Sequence, residues 1–252
     1  MKIVVIGASG LIGSNVVKRL RLQGHEVGAA SLSTGVNLLT GAGIAAAIQG
    51  ADTVVDVSNS PSFEDQAVMA FFQTAGRNLL AAEADAGVRH HVALSVVGAD
   101  RLPDNGYMRA KVAQEALIKD SGIPYTILRS TQFFEFVDGI IKSSGGDDAV
   151  HLSPALLQPV ASDDTSARLA EVAVLPPANG MLEVAGPDLI PLDELARQYL
   201  AARHDATPQI VADVRARYFG SVLDDRSLTA GKDAHIGATR YQDWLAGVAG
   251  RA

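Results

Sequence analysis

Three glycines spaced three apart, in Gly7-Ala8-Ser9-Gly10-Leu11-Ile12-Gly13, stand between a β-rich apolar run at residues 2–6 and a segment whose Leu11, Ile12, Val16, Val17 and Leu20 recur at helical spacing. Few folds accommodate that order of strand, tight turn and helix. In such a handover Gly7 serves the turn, Gly10 lets backbone approach a phosphate, and Gly13 lets the helix pack closely on the strand. The helix N-terminus adds unpaired N–H groups and the positive end of its dipole. The turn is therefore read as a cradle for a dinucleotide pyrophosphate, with Gly7, Ser9, Gly10, Leu11, Ile12 and Gly13 as contacts. A Walker-type phosphate loop is excluded, because Ser14 and Asn15 follow Gly13 where Lys and Ser/Thr would be needed.

A second strand at 25–30 completes a βαβ unit of about 30 residues, the length this motif requires. The alternation continues with a helix over 41–50, a strand at 53–57, a helix over 63–86, a strand at 91–95, a helix over 107–121 closed by Gly122, and a strand at 125–129 just after Pro124. Strands alternating with helices predict an α/β, doubly wound parallel-sheet Rossmann fold, placed here at residues 1–137. Beyond Arg129 the regularity weakens, with a Gly/Ser/Asp-rich stretch at 143–148 and several prolines. A helix over 163–175 with an Asp cap, a strand at 181–185 and a helix over 191–203 with Pro191 in its first turn are expected there. Residues 138–252 are read as a small irregular α+β C-terminal cap that contributes in part to the sheet and selects the substrate. A chain of 252 residues suits one large domain with such an appendage.

Composition narrows the function. A net charge of −7 without a basic run gives no electrostatic footprint for direct nucleic-acid binding. The absence of cysteine rules out disulfides, thiolate metal sites and cysteine nucleophiles, and accords with a reducing cytoplasm, the expected location. The first apolar run is too short for a secretion signal, and no stretch approaches a membrane span. His90-His91 has no partner at ligand spacing, so no metal is expected; Asp163-Asp164 and Asp224-Asp225 read as a helix cap and a solvated turn. The expected partner is a small-molecule substrate, with the chain a monomer or homodimer.

Cofactor choice falls at the end of the second strand, where a carboxylate would accept hydrogen bonds from the ribose of NAD and repel the extra phosphate of NADP. Ala30-Ser31-Leu32-Ser33-Thr34-Gly35 has no Asp or Glu, and its hydroxyls can donate to a phosphate. NADP is therefore expected ahead of NAD, with Ser31 and Ser33 as contacts, although the segment lacks Arg and plain loop serines would look the same. Ser58 and Asn59 follow the strand at 53–57, where ligands of open α/β sheets bind. Thr131, Gln132, Phe133 and Phe134 follow the strand at 125–129 and are placed toward the nicotinamide, the phenylalanines equally suiting a core. Arg217-Tyr218-Phe219-Gly220 and Trp244 either wall the substrate region or pack the cap.

With Gly7–Gly13 in place, Ser95 closing the strand at 91–95 and Tyr107-Met108-Arg109-Ala110-Lys111 opening the next helix, the chain resembles the short-chain dehydrogenase/reductase superfamily. Gly87-Val88-Arg89-His90-His91-Val92, Glu115-Ala116-Leu117-Ile118 and Ser121-Gly122-Ile123-Pro124-Tyr125-Thr126-Ile127-Leu128-Arg129 resemble more narrowly its atypical NmrA-like branch. The resemblance runs from Met1 to about Gly186 and is strongest over the first 137 residues. It implies NAD(P)H binding and an NADPH-dependent oxidoreductase acting on a small carbonyl, quinone or enone, or alternatively a non-catalytic NADP(H) redox sensor. It also implies that Asn37 and Leu38 lie at the adenine. Tyr107 and Lys111 are four apart and share a helix face. Lys111 can then favour the ionised phenol and bond the nicotinamide ribose, while Tyr107 protonates a carbonyl oxygen that Ser95 steadies. Such Tyr/Lys spacing also occurs on ordinary helices, and the 12 positions from Ser95 to Tyr107 are fewer than the superfamily's catalytic enzymes usually have.

Overall fold

The computed structural model describes residues 1–145, 149–205 and 207–249, so 146–148 of the Gly/Ser/Asp-rich stretch lie outside the described residues. The first half alternates as the sequence predicts: β1 (Lys2–Ile6), α1 (Leu11–Leu22), β2 (Glu26–Ala30), α2 (Ile44–Ile48), β3 (Thr53–Asp56), α3 (Asp65–Ala86), β4 (His90–Val96), α4 (Gly106–Asp120) and β5 (Tyr125–Ser130). The second half adds α5 (Val137–Ser143), β6 (Ala149–Leu152), β7 (Leu156–Leu157), α6 (Ser162–Val174), β8 (Gly180–Ala185), β9 (Ile190–Pro191), α7 (Leu192–Ala202), β10 (Gln209–Ala212), β11 (His235–Ile236) and α8 (Tyr241–Ala249).

Seven strands form one parallel sheet in the order β11-β8-β5-β4-β3-β1-β2. From β1 the chain moves outward to β2 and then crosses to β3 on the other side of β1, so the direction of winding reverses between β1 and β3. That reversal is the point where open α/β sheets take ligands. The register places Ile6 level with both Ala30 and Asp56, and Asp56 level with Ala93. The residues just past this row, Gly7, Ser31 and Val57, therefore leave the sheet at one level, while β4 runs on to Val96.

By internal contacts the chain forms two compact units, one of Met1–Ser95, Gly106–Arg129 and Thr165–Leu182, the other of Val96–Asn105, Ser130–Asp164 and Glu183 onward. In the first, Ile3, Val4, Val5, Ile6, Val54 and Val55 are buried to 2% exposure or less, as strands covered on both faces require. Val4, Ile6 and Val54 pack with Ile44, Ile48, Leu79 and Val88, whereas Ala93 and Ile127 pack with Leu80, Ile118 and Ile123. Phe72 of α3 joins Val68 and Ala110, with Tyr107 against the group. In the second unit Phe134, Tyr241, Trp244 and Tyr199 form a chain of ring contacts, with Phe134 in its core and Trp244 half-buried against it. Two short pairings, β6 with β10 and β7 with β9, complete it. Among the described residues no helix is long and apolar enough to cross a membrane.

Three local expectations need correction. The helix over 41–50 is only Ile44–Ile48, because Gly41 and Gly43 take left-handed backbone (φ +78 and +76) and turn the chain before it. Asp163 and Asp164 lie inside the first turn of α6, and Asp164 accepts hydrogen bonds from the Thr239 amide and hydroxyl rather than capping the helix. Pro191 precedes α7 as its N-cap.

Phe72 is 1% exposed and supports Tyr107. Truncating it should expose a void that neighbouring side chains fill only in part, so Phe72→Ala is expected to lower unfolding free energy by about 3–5 kcal/mol in urea titrations. A loss below about 1 kcal/mol would mean the group repacks freely.

Candidate functional site

The β1–α1 turn is built against the end of β3. Gly7 has φ +80, and a Cβ there would stand 2.8 Å from the Val57 carbonyl oxygen and 2.9 Å from the Ser58 nitrogen. Its own amide donates to Ala30 O at 2.9 Å, and Val57 N donates to Ile6 O at 3.1 Å, so three strand ends meet there. A Cβ on Gly13 would fall 2.2 Å from Gly7 O, which is how closely α1 packs on the turn. Gly10 differs: a Cβ would meet Gly7 O at 3.4 Å, ordinary contact, so the fold itself does not demand glycine there. Gly10 is the N-cap of α1, no side chain caps that end, and the first turn carries no acidic residue. Ser9, Gly10 and Leu11 are exposed, while Ile12 and Gly13 are buried beneath them. Such an end attracts an anion. Nearby, the Ser58 hydroxyl is buried without a protein partner. A glycine-lined approach, an uncapped helix end and an orphaned hydroxyl fit a dinucleotide pyrophosphate with its adjoining sugar.

At the end of β2 the hydroxyls are largely committed to one another. Thr34 Oγ1 accepts from Ser31 N at 2.9 Å and donates to Ser31 O at 3.0 Å, so its proton is spent. Ser31 and Ser33 share one hydrogen bond at 2.8 Å, which leaves one hydroxyl proton of that pair for an outside acceptor. Asn37 Oδ1 accepts the Leu39 and Thr40 amides at 2.9 and 3.3 Å, leaving its NH₂ to face outward chemistry, and Leu38 is buried beside it. Thr131 and Phe133 lie in the second unit; Thr131 is 3% exposed with its hydroxyl unpartnered, and Phe133 bridges Val160.

Tyr107 sits in the first turn of α4, half-buried between Phe63 and Phe72, and its hydroxyl donates to Asn59 Oδ1 at 3.2 Å. Burial pushes the phenol up to about 12, with the Asn59 bond pulling the other way. Lys111, one turn on, is 3% exposed. Its ammonium donates to Leu94 O at 2.9 Å and to Gln114 Oε1, and lies 4.3 Å from the Phe72 ring centre. Gln114 Nε2 in turn donates to Asp56 Oδ2 at 3.0 Å, and Asp56 Oδ1 accepts the Ser58 amide at 2.9 Å. A continuous polar chain thus runs from Lys111 to the backbone beside Gly7. Burial lowers the Lys111 ammonium to about 8, against the raising influence of Asp56 and Glu115.

These bonds bear on two expected roles. Lys111 bonds inward, and the Tyr107 phenol is pushed up by burial rather than drawn down by the ammonium. Ser95 is 2% exposed and donates its only hydroxyl proton to Glu115 Oε1 at 2.7 Å. Glu115 meanwhile holds Arg129 through a two-pronged pair, Nε to Oε1 at 2.8 Å and Nη2 to Oε2 at 2.7 Å. Ser95 therefore braces a buried ion pair and has no proton left to steady a carbonyl oxygen. Asp56, Gln114 and Glu115 were missed by sequence reasoning. Asp56 ends an apolar strand run, and Gln114 and Glu115 fall on the Lys111 side of α4, yet nothing in their spacing marks a network. The His90-His91 doublet is also structural, with His90 on Thr126 and His91 on the buried Glu83.

Lys111 also makes stability depend on pH. Between pH 8 and 10.5 the folded chain has released a proton that the unfolded chain still holds, so stability rises with pH across that window, by up to about 3 kcal/mol. Urea unfolding of the wild type minus that of Lys111→Met should show this rise. Parallel profiles would show that Lys111 keeps its ordinary ionisation.

A family profile described as NAD(P)H-binding matches residues 7–148. The (4-alkanoyl-5-oxo-2,5-dihydrofuran-3-yl)methyl phosphate reductase of Streptomyces griseus subsp. griseus is 31% identical over 144 residues, 52% of this chain and 48% of that protein. Photosystem II assembly factor Ycf39 of Synechocystis sp. is 26% identical over 155 residues, 56% of this chain and 47% of that protein. The chain thus spans about half the length of the curated relatives it matches. Among solved structures, MoeE5 in complex with UDP-glucuronic acid and NAD superposes with a TM-score of 0.77 at 17% identity, covering 98% of this chain and 97% of that one. The NADPH-dependent quinone oxidoreductase QOR2 of Escherichia coli gives 0.66 at 18%, covering 98% and 99%. At these identities the superpositions show a shared fold.

Proposed function

The chain belongs to the NAD(P)H-binding family, and from that premise we propose that it is an NADPH-dependent oxidoreductase of the atypical short-chain type, reducing a small carbonyl, quinone or enone. The observation that carries this reading is Tyr107, an ionisable hydroxyl at the N-terminal turn of α4, bonded to Asn59 just past the end of β3. Bound NADPH supplies a hydride. Gly7, Ser9, Gly10, Leu11, Ile12 and Gly13 receive the pyrophosphate through backbone and turn, and Ser58 gives its orphaned hydroxyl to the adjoining sugar. The free proton of the Ser31/Ser33 pair serves the extra phosphate of NADP, and the lack of a carboxylate there removes the repulsion an NAD-selective site would impose. Asn37 presents its NH₂, and Leu38 its apolar side, to the adenine.

Tyr107 stays protonated throughout the neutral range and donates to the oxygen that gains negative charge as hydride adds. Asn59 orients that hydroxyl beforehand and can take its own bond elsewhere once the proton has moved. Lys111 uses two of its three donors on Leu94 O and Gln114, and its third serves a sugar hydroxyl of the cofactor. Ser95 is a positioning residue that holds Glu115 and through it the strand end at Arg129. The match to a reductase supports this reading, as does the likeness in fold to a quinone oxidoreductase.

A second reading, a non-catalytic NADP(H) sensor, is favoured by one observation: Lys111 bonds inward rather than to Tyr107. The match to an assembly factor keeps company with it. Turnover separates the two. Purified protein should consume NADPH, followed at 340 nm, with at least one quinone, enone or aldehyde, and Tyr107→Phe should cut kcat at least about a hundredfold while NADPH binding changes little. Turnover by Tyr107→Phe at the wild-type rate would remove Tyr107 from the mechanism; NADPH binding without turnover on any acceptor would favour the sensor.

A further inference from the structure

An oxygen that gains negative charge as hydride adds is held best by more than one donor. Ser95 cannot join Tyr107 in this, because its proton goes to Glu115 Oε1 at 2.7 Å. The segment between β3 and α3 offers a different donor. Asn59 uses its Oδ1 twice, accepting Ser60 N at 2.9 Å and the Tyr107 hydroxyl at 3.2 Å. A backbone N–H only donates, so the amide atom that faces Ser60 N is the oxygen. The side-chain amide is thereby fixed one way round, with its NH₂ on the prong away from Ser60.

That NH₂ is the part of Asn59 the fold does not use. Among the described residues nothing accepts from Nδ2, and Asn59 is exposed. An aspartate would receive Ser60 N and Tyr107 equally well. The Tyr107 bond is also a loose one: at 3.2 Å it is longer than ordinary O–H···O bonds, which run to about 3.0 Å. A substrate oxygen can therefore take the phenol proton from Oδ1 at small cost. The two ends of a planar amide lie closer together than a hydrogen bond is long, so an oxygen that accepts from Tyr107 comes within reach of Nδ2 as well. Phe63 and Phe72, with ring centres 5.7 and 6.0 Å from that of Tyr107, keep the phenol in place. All of these residues belong to the first compact unit.

We infer that Asn59 is a catalytic residue whose Nδ2 donates to the same substrate oxygen that Tyr107 protonates, so that the two side chains form a paired donor site. This deepens the oxidoreductase reading and rests on it. For a carbonyl substrate, the carbon gains the hydride that bound NADPH supplies, the C–O π pair moves to the oxygen, and the Tyr107 proton completes the new O–H bond. The substrate is reduced, the nucleotide is oxidised, and solvent returns a proton to the phenolate. Asn59 keeps its protons throughout and gives a hydrogen bond that strengthens as charge builds on the oxygen.

Asn59→Asp keeps both accepting bonds and removes the donor, whereas Asn59→Ala removes all three. The first readout is binding of 4-nitrophenol to the full chain saturated with NADP⁺, with the absorbance of the bound probe reporting whether it is held as the anion. A donor pair favours the anion, so both variants should raise the ionisation pH of the bound probe by about one unit, with NADP⁺ affinity unchanged. The second readout is kcat with menadione and crotonaldehyde. It should fall about a hundredfold in Asn59→Asp at neutral pH and recover as the pH is lowered into the carboxyl range, where the introduced group gains a proton to donate. Wild-type ionisation of the bound probe in both variants overturns the inference, as does failure of the wild type to hold the probe as its anion. Loss of NADP⁺ affinity with the probe unaffected also overturns it, by giving the NH₂ to the cofactor. Turnover by Asn59→Asp at the wild-type rate would leave Asn59 an orienting acceptor alone and the oxidoreductase reading intact. If the probe depends on Asn59 in a protein that reduces no acceptor, that reading fails and the paired donor site stands.

Discussion

A methyl group on Gly7 would stand 2.8 Å from the carbonyl oxygen of Val57, and one on Gly13 would stand 2.2 Å from Gly7 O. These two approaches bring the first turn, the end of β3 and the head of α1 into direct contact, and the other features of the candidate site depend on them. With Gly7 beside Ser58, the Asp56 carboxylate that receives the Ser58 amide also receives Gln114, and Gln114 receives Lys111. The position of α4, and hence of Tyr107, is in this way tied by hydrogen bonds to the same strand end that the glycine turn rests on.

Counting protons shows what each polar group can still do. Ser95 and Thr34 have spent their only hydroxyl protons on protein acceptors, Ser31 and Ser33 keep one between them, and Lys111 keeps one donor of three. The Ser58 hydroxyl is buried with no partner, which is costly unless something outside the chain meets it. Ser58 and the Ser31/Ser33 pair thus keep bonding capacity beside the glycine turn, while Ser95, farther along β4, serves the buried Glu115–Arg129 pair.

The sheet was legible where its physics is local. Buried parallel strands read as apolar runs, helices between them show the 3.6 period, and glycines mark the handovers, so β1 through β5 follow from pattern alone. The Gly41–Gly43 turn misled because Ile44 and Ile48 keep a helical period into it, and periodicity does not report positive φ. Strands of two residues, such as β7, β9 and β11, leave no period to detect. At the site, Gly7–Gly13, Ser58, Asn59, Tyr107 and Lys111 were visible as residue types at topological positions. What each side chain bonds was not visible: Ser95 meets Glu115 and Tyr107 meets Asn59 through partners 20 and 48 residues away.

Gly10 separates binding from folding most cleanly, because its extended backbone, with a Cβ no nearer than 3.4 Å to Gly7 O, accepts a side chain that the approach of a phosphate would not. The decisive measurement is calorimetric titration of NADPH and NADP⁺ into the wild type and Gly10→Val, with thermal unfolding recorded beside it. A cradle for pyrophosphate predicts an unchanged melting temperature and affinity reduced at least about tenfold for both nucleotides. Wild-type affinity in a folded Gly10→Val protein would show that the glycine turn does not hold the cofactor.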